Sequence, residues 1–185
     1  MWSHWLWFTF PHGTAAYVLL RYPERFAAAA AQIYATFDIG VTAYWFIPTA
    51  PPWYAAREGL MEDGRTPELR RMMVEYGEQF WRHRWTPLYG VLGGNPLAAM
   101  PSLHFATSVT AARVLAGTGR AAGMFGWVYT ATLGTALVYL GEHYVVDLAV
   151  GAALAEAVRR AAPRAAPGLR SFSRAVQALE SAARG

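Results

Sequence analysis

The sequence has no cysteine and no lysine. Without cysteine there are no disulfides and no thiol chemistry, and the redox compartment leaves no mark on the chain. Without lysine, all sixteen basic residues are arginine. Charge of either sign is scarce, at 15% of residues, against about 25% in ordinary soluble domains. That scarcity, beside 55% hydrophobic and 15% aromatic residues, argues for a membrane protein. The mean hydropathy is only +0.16, because a polar middle section dilutes the apolar segments. A length of 185 residues suits one domain. The N-terminus lacks a basic n-region and a small-residue cleavage site, so no cleavable signal peptide is expected.

Five apolar segments read as membrane spans. The first covers residues 2–20, interrupted by Pro11 and His12, and the second covers 27–50. At 24 residues the second would reach about 36 Å as a helix, enough for a hydrocarbon layer of about 30 Å. Prolines in PTAPPW end it. An outer loop over 51–100 should carry an amphipathic helix after Pro67, with Leu69, Met72, Met73, Tyr76 and Phe80 on one side. Spans three to five follow at 101–119, 121–141 and 143–162. A basic cytoplasmic tail, 163–185, completes the chain. Small residues such as Gly117, Gly123, Gly134 and Gly151 should let the helices pack closely. The predicted fold is an all-helical polytopic bundle, with residues 1–162 as a single catalytic domain.

Arginine placement orients it. Arg21 and Arg25 follow span one, Arg120 follows span three, and Arg159, Arg160, Arg164, Arg170, Arg174 and Arg184 follow or close span five. All fall on one side if the spans alternate, which is the cytoplasmic side by the positive-inside rule. The tail should be attracted to anionic lipid. No stacking or groove-reading pattern accompanies it, so nucleic acid is not an expected partner. The middle section holds six arginines and six acidic residues and is neutral. PSLH (101–104) and EHYVVD (142–147) then share the outer face.

His143 and Asp147 are four residues apart, so a helix sets them on one face. Asp147 can accept a hydrogen bond from one imidazole nitrogen, which fixes the tautomer and makes the other nitrogen a better nucleophile or base. Ser102 and His104 open span three, where backbone N–H groups and the helix dipole favour an anion. Two histidines, an orienting carboxylate and an anion-binding helix start suit phosphoryl transfer. One imidazole attacks phosphorus and the other protonates the leaving oxygen. No metal or other cofactor is called for by this logic.

PSLH and HYVVD together resemble the second and third signatures, P-S-x-H and H-x-x-x-D, of the type 2 phosphatidic acid phosphatase (PAP2) superfamily. FDIGVTAYWFIPTAPPW is similar to its inositolphosphotransferase branch, related to inositol phosphorylceramide synthases. The resemblance covers roughly residues 30–155. It implies that His143 forms a phosphohistidine, that Asp147 orients it, that His104 protonates the leaving group and that Ser102 helps to bind phosphate. The first signature needs a lysine and is absent, and Leu137 stands where an arginine usually precedes the third. Arg84, Arg82 or Arg57 are candidates to replace those cations, with Asn95 and Trp53 as neutral substrate contacts. The family has six spans, so a further span is expected ahead of the five read here.

These features imply a lipid-phosphate phosphatase or phosphotransferase in a bacterial plasma membrane, its site facing outward. The substrate would be a phospholipid or prenyl phosphate, and the acceptor water, a polyol or a lipid hydroxyl. The rival is a membrane structural or lipid-binding protein on a decayed catalytic scaffold, supported by the missing cations. Elsewhere the expectations are plainer. His4, His12 and His83 should be interfacial histidines, Trp2, Trp5 and Trp7 an aromatic belt, and Glu142 a solvated edge residue. Asp38 and Arg113 lie at similar depths from the outer face and should form an intramembrane ion pair.

Overall fold

The computed structural model describes residues 2–61, 75, 77, 79 and 95–183, with side chains to residue 165. Every element in it is a helix: α1 (Trp2–Leu6), α2 (Thr9–Arg21), α3 (Pro23–Phe46), α4 (Pro52–Arg57), α5 (Leu103–Ala116), α6 (Arg120–Tyr139) and α7 (Val145–Ala183). An isolated bridge between Thr49 and Ala98 ties the exit of α3 to the approach to α5. Residues 75, 77 and 79 are helical. The rest of the expected amphipathic helix, with Arg82, His83 and Arg84, lies outside the described residues.

Local chemistry sets the helix ends. Tyr22, the residue between α2 and α3, has φ −146° and ψ 58°, away from the helical region as expected before a proline. Pro23 then starts α3, because a first-turn residue needs no N–H partner. The helix in the place of the expected second span therefore begins four residues earlier than the sequence suggested and ends at Phe46, before Ile47 and Pro48. Pro11 does not interrupt a helix. It sits in the opening turn of α2, and the break falls at Trp7–Phe8 instead. The last helix runs through Pro163 and Pro167 to Ala183, so no helix end marks the expected boundary at 162.

Helix α5 is the centre of the bundle. Ala106, Val109, Ala111, Ala112 and Leu115 are buried on it. A Cβ on Gly126 of α6 would lie 2.8 Å from the Cα of Ala112, and one on Gly123 2.7 Å from that of Ala116. The α5–α6 contact is thus backbone against backbone, as small residues permit. Buried hydroxyls bridge helices: Thr36 and Thr110 Oγ1 atoms are 3.1 Å apart, and Thr130 Oγ1 donates to the Ser108 carbonyl at 3.2 Å.

The two ends of the bundle are chemically distinct. At one, Arg25 Nη1 donates to the Gly117 carbonyl at 2.7 Å and the Tyr22 hydroxyl to that of Thr118 at 3.3 Å. At the other, the α6–α7 turn meets the start of α5. The tertiary fold thereby gathers Arg21, Arg25 and Arg120 at one end, and PSLH and EHYVVD at the other.

Two expectations are overturned here. Asp38 does not pair with Arg113. It is exposed on α3, while Arg113 Nη2 reaches Glu156 Oε2 on α7 at 3.1 Å. Glu156 also binds Arg159 at 2.6 Å and Arg160 at 2.7 Å. Asp38→Asn should therefore leave the thermal midpoint unchanged, whereas Glu156→Gln should lower it by leaving three guanidinium groups around a neutral side chain. A lower midpoint for Asp38→Asn, with Glu156→Gln neutral, would reverse the assignment. Glu142, expected to be solvated, is buried, because its N–H and that of His143 both turn back onto the Leu137 carbonyl, at 3.0 and 3.2 Å.

Candidate active site

The α6–α7 turn builds one half of the site. Gly141 has φ +69°, the left-handed region in which a Cβ is penalised, and it reverses the chain between α6 and α7. Tyr144 caps α7, and Asp147 in the first turn reaches back, its Oδ2 accepting from the Tyr144 N–H at 2.8 Å. This is the returning half of a capping box. The same Oδ2 lies 3.5 Å from His143 Nδ1, longer than an ordinary N–H···O bond but within the range seen before substrate binds. His143 is 5% exposed and Asp147 2%. The carboxylate thus faces Nδ1 in a dry setting, which leaves Nε2 as the nitrogen for chemistry.

Helix α5 supplies the other half. Ser102 is fully buried as its N-cap, and its side chain accepts from the Phe105 N–H at 3.4 Å. The Ser102 N–H donates to the Asp147 carbonyl at 3.1 Å, so the start of α5 is bonded directly to the first turn of α7. That bond brings the two histidines together. The rings of His104 and His143 have centroids 5.7 Å apart and planes at 61°.

The sequence reading missed the third wall. Trp7 lies 4.2 Å, centroid to centroid, from His104, and His4 stacks on His104 at 4.5 Å. Trp7 Nε1 donates to Thr107 Oγ1 at 2.8 Å, which holds the indole against α5. Trp7 is therefore part of the site rather than a belt residue, and His4 is no ordinary interfacial histidine. The cluster WSHWLW carried the signal, since an interfacial belt needs tryptophan but not a histidine among them. His12 keeps the plainer role, exposed and hydrogen-bonded to the Phe8 carbonyl at 2.7 Å.

The remaining candidates divide. Trp53 is buried, and its backbone N–H donates to the Gly141 carbonyl at 3.1 Å, which sets it against the histidine-bearing turn. Arg57 stacks over Trp53 at 5.4 Å and over Tyr54 at 4.8 Å, while its Nη2 pairs with Glu58 at 2.9 Å. Asn95 is exposed, and its side-chain oxygen accepts from the Leu97 N–H at 2.9 Å, closing its own turn. Arg82 and Arg84 lie outside the described residues. Leu137, where an arginine was looked for, is fully buried. Among the described residues, no group of three or more carboxylates and histidines is arranged to hold a metal ion.

Asp147→Asn separates the two tasks of this carboxylate. The amide oxygen can still accept from Tyr144, so the thermal midpoint should change little. The lost charge can no longer support an imidazolium at His143, and kcat should fall about a hundredfold or more. Equal turnover in the variant and the parent would remove the carboxylate from the chemistry.

The chain is 33% identical over 117 residues to the phosphoinositol dihydroceramide synthase of Bacteroides thetaiotaomicron, a match that covers 61% of this chain and 37% of that protein. The chain thus spans well under half the length of that relative. No solved structure matches the chain. The PAP2 superfamily pattern matches residues 2–160, a stretch that contains both histidines, Asp147, Ser102 and the N-terminal aromatic wall, and the protein belongs to that superfamily.

Proposed function

We propose that the protein is an integral membrane enzyme that takes a phosphoryl or phosphodiester group from a lipid phosphate at the outer leaflet and passes it through a phosphohistidine at His143 to an alcohol or to water. The observation that carries this is a close trio: two imidazoles with centroids 5.7 Å apart, one of them buried and 3.5 Å from a buried carboxylate. His143 Nε2 attacks phosphorus and forms the P–N bond as the P–O bond to the leaving group breaks. His104 gives its proton to that oxygen. In the second half, His104 takes a proton from the acceptor hydroxyl, whose oxygen displaces His143. Ser102 orders the start of α5, whose dipole favours the phosphate. Arg82 and Arg84 in the outer loop, with Asn95 and Trp53, remain the proposed substrate contacts.

The relative's name favours an alcohol acceptor over water, because it describes a phosphoinositol-carrying sphingolipid product. The membrane reading draws on surface chemistry. Helix α6 passes the length and hydropathy test for a span, and among the described helices it alone does. Met124, Phe125 and Val128 on it are 62–68% exposed, and Trp45 and Phe46 at the end of α3 still more. Large apolar side chains this exposed suit contact with lipid. Helix α5, at about 21 Å, is short for a span, but the helices around it keep it from lipid.

Purified full-length protein should be incubated with radiolabelled phospholipids and prenyl phosphates, with and without inositol and with and without chelator. The expected result is a new lipid or free phosphate, unaffected by chelator. Loss of activity in chelator would overturn the metal-free route. Binding of lipid with no product under any condition would favour the decayed scaffold, for which the buried Leu137 is the observation to hand.

A further inference from the structure

At the end of the bundle opposite the histidines lies a cavity of about 280 Å³ between α2, α3, α5 and α7. Three arginines line it, Arg25, Arg113 and Arg159, together with Gln32, Gly117 and Thr118. They come from three different helices, so the cluster is a product of the fold and not of a basic run. Their negative partners are few. Glu156 is shared among Arg113, Arg159 and, outside the cavity, Arg160. Arg25 has Glu24 at 3.5 Å, on the exposed side. Four guanidinium groups thus face two carboxylates. Arg25 is steadied by its bond to the Gly117 carbonyl at 2.7 Å, and an arginine carries five N–H donors, so most of its fork is left for another acceptor. Arg113 is steadied by Glu156 and by the face of Trp127, 5.7 Å from its Cζ. Preorganised guanidinium forks beside an amide and a hydroxyl-bearing turn match the oxygens of a phosphate group.

We propose that this cavity is a second, non-catalytic site that binds a phosphate-bearing anion, either the headgroup of an anionic phospholipid in the inner leaflet or free inorganic phosphate. It does not depend on the outer site or on the reaction assigned there. The arginines sit where the α2–α3 and α5–α6 turns meet, and long side chains there can hold their heads at the headgroup level.

The test uses the full chain in phosphatidylcholine vesicles with phosphatidylglycerol as the sole anionic lipid, followed by mild extraction and native mass spectrometry. The wild type should retain phosphatidylglycerol. Arg25→Gln/Arg159→Gln should weaken retention about tenfold or more, as expected for two lost charge-assisted contacts. The lysine pair should keep most of it. Arg25→Gln alone, at a side chain more than half exposed, guards against a folding failure and should show part of the loss. His143→Ala should retain lipid as the wild type does, which separates this site from the catalytic one. Added inorganic phosphate that displaces the lipid identifies the ligand as phosphate itself, and failure to displace it identifies the whole headgroup. Unchanged retention in the glutamine pair overturns the proposal. So does equal loss on neutralising Arg170, Arg174 and Arg184 in the tail.

Discussion

His143→Ala should reduce turnover by about ten-thousandfold or more, since on the proposed route it removes the covalent nucleophile and leaves only binding and positioning. The ring is 95% buried and its Nδ1 faces Asp147, so its loss leaves an enclosed gap beside the carboxylate. Water cannot substitute without losing the P–N intermediate that divides the reaction into two easier steps. The variant should still bind lipid substrate, because the backbone at the start of α5 and the aromatic wall at Trp7 are untouched. Imidazole added in solution should restore part of the rate by filling the vacated space. A variant within about tenfold of the parent would sink the phosphohistidine route, whatever the two rings' distance. Lost turnover accompanied by lost lipid binding would instead point to a structural collapse, which the thermal midpoint would reveal. His143→Gln, closer in volume, keeps the test decisive.

The second large effect is structural and reaches the site through packing. A Cβ at Gly151 would lie 2.7 Å from the Ser102 carbonyl oxygen and 3.5 Å from Ala106 Cβ. Backbone cannot swing aside as a side-chain tip can, so α5 and α7 must separate. Two bonds cross or border that contact: Ser102 N–H to the Asp147 carbonyl at 3.1 Å, and Ala106 N–H to the Ser102 carbonyl at 2.9 Å. Separation therefore pulls His104 away from His143. Gly151→Val should cost about 1–3 kcal/mol of stability through overpacking. It should also cost about a hundredfold in turnover, the penalty of roughly an ångström of misplacement. Gly13 in α2 is the matched control, with nothing within 4 Å of its Cβ position. Gly13→Ala should be neutral or stabilising by about 0.5–1 kcal/mol. If Gly151→Val equals Gly13→Ala in midpoint and rate, the close α5–α7 contact does not set the site.

Helix geometry made much of this legible in one dimension. An i, i+4 spacing puts His143 and Asp147 on one face whatever surrounds them, and prolines at 48, 51 and 52 mark the end of a helix because their ring excludes an N–H. Alternation of direction along the chain gives each residue a height, which is why PSLH and EHYVVD could be expected at one end. Height is all that such reasoning supplies. Even the height can err: Thr36 meets Thr110 and Gly40 lies against Leu103, whereas Arg113 lines the cavity beside Arg25, so Asp38 sits at another level, exposed, and Glu156 is the carboxylate turned toward Arg113. Which way a helix is rotated is decided by its neighbours' shapes, such as the glycines that α6 presses onto Ala112 and Ala116.

By itself, then, the amino-acid order determined the helical class, the candidate site residues and the end of the bundle where they gather, because each follows from periodicity and local backbone chemistry. The three-dimensional packing alone decided that Trp7 and His4 wall His104, that Glu142 is buried, and that Arg25, Arg113 and Arg159 surround one cavity. Those are relations between distant segments at a common height, and they exist only once the rotation and approach of each helix have been settled by close contact.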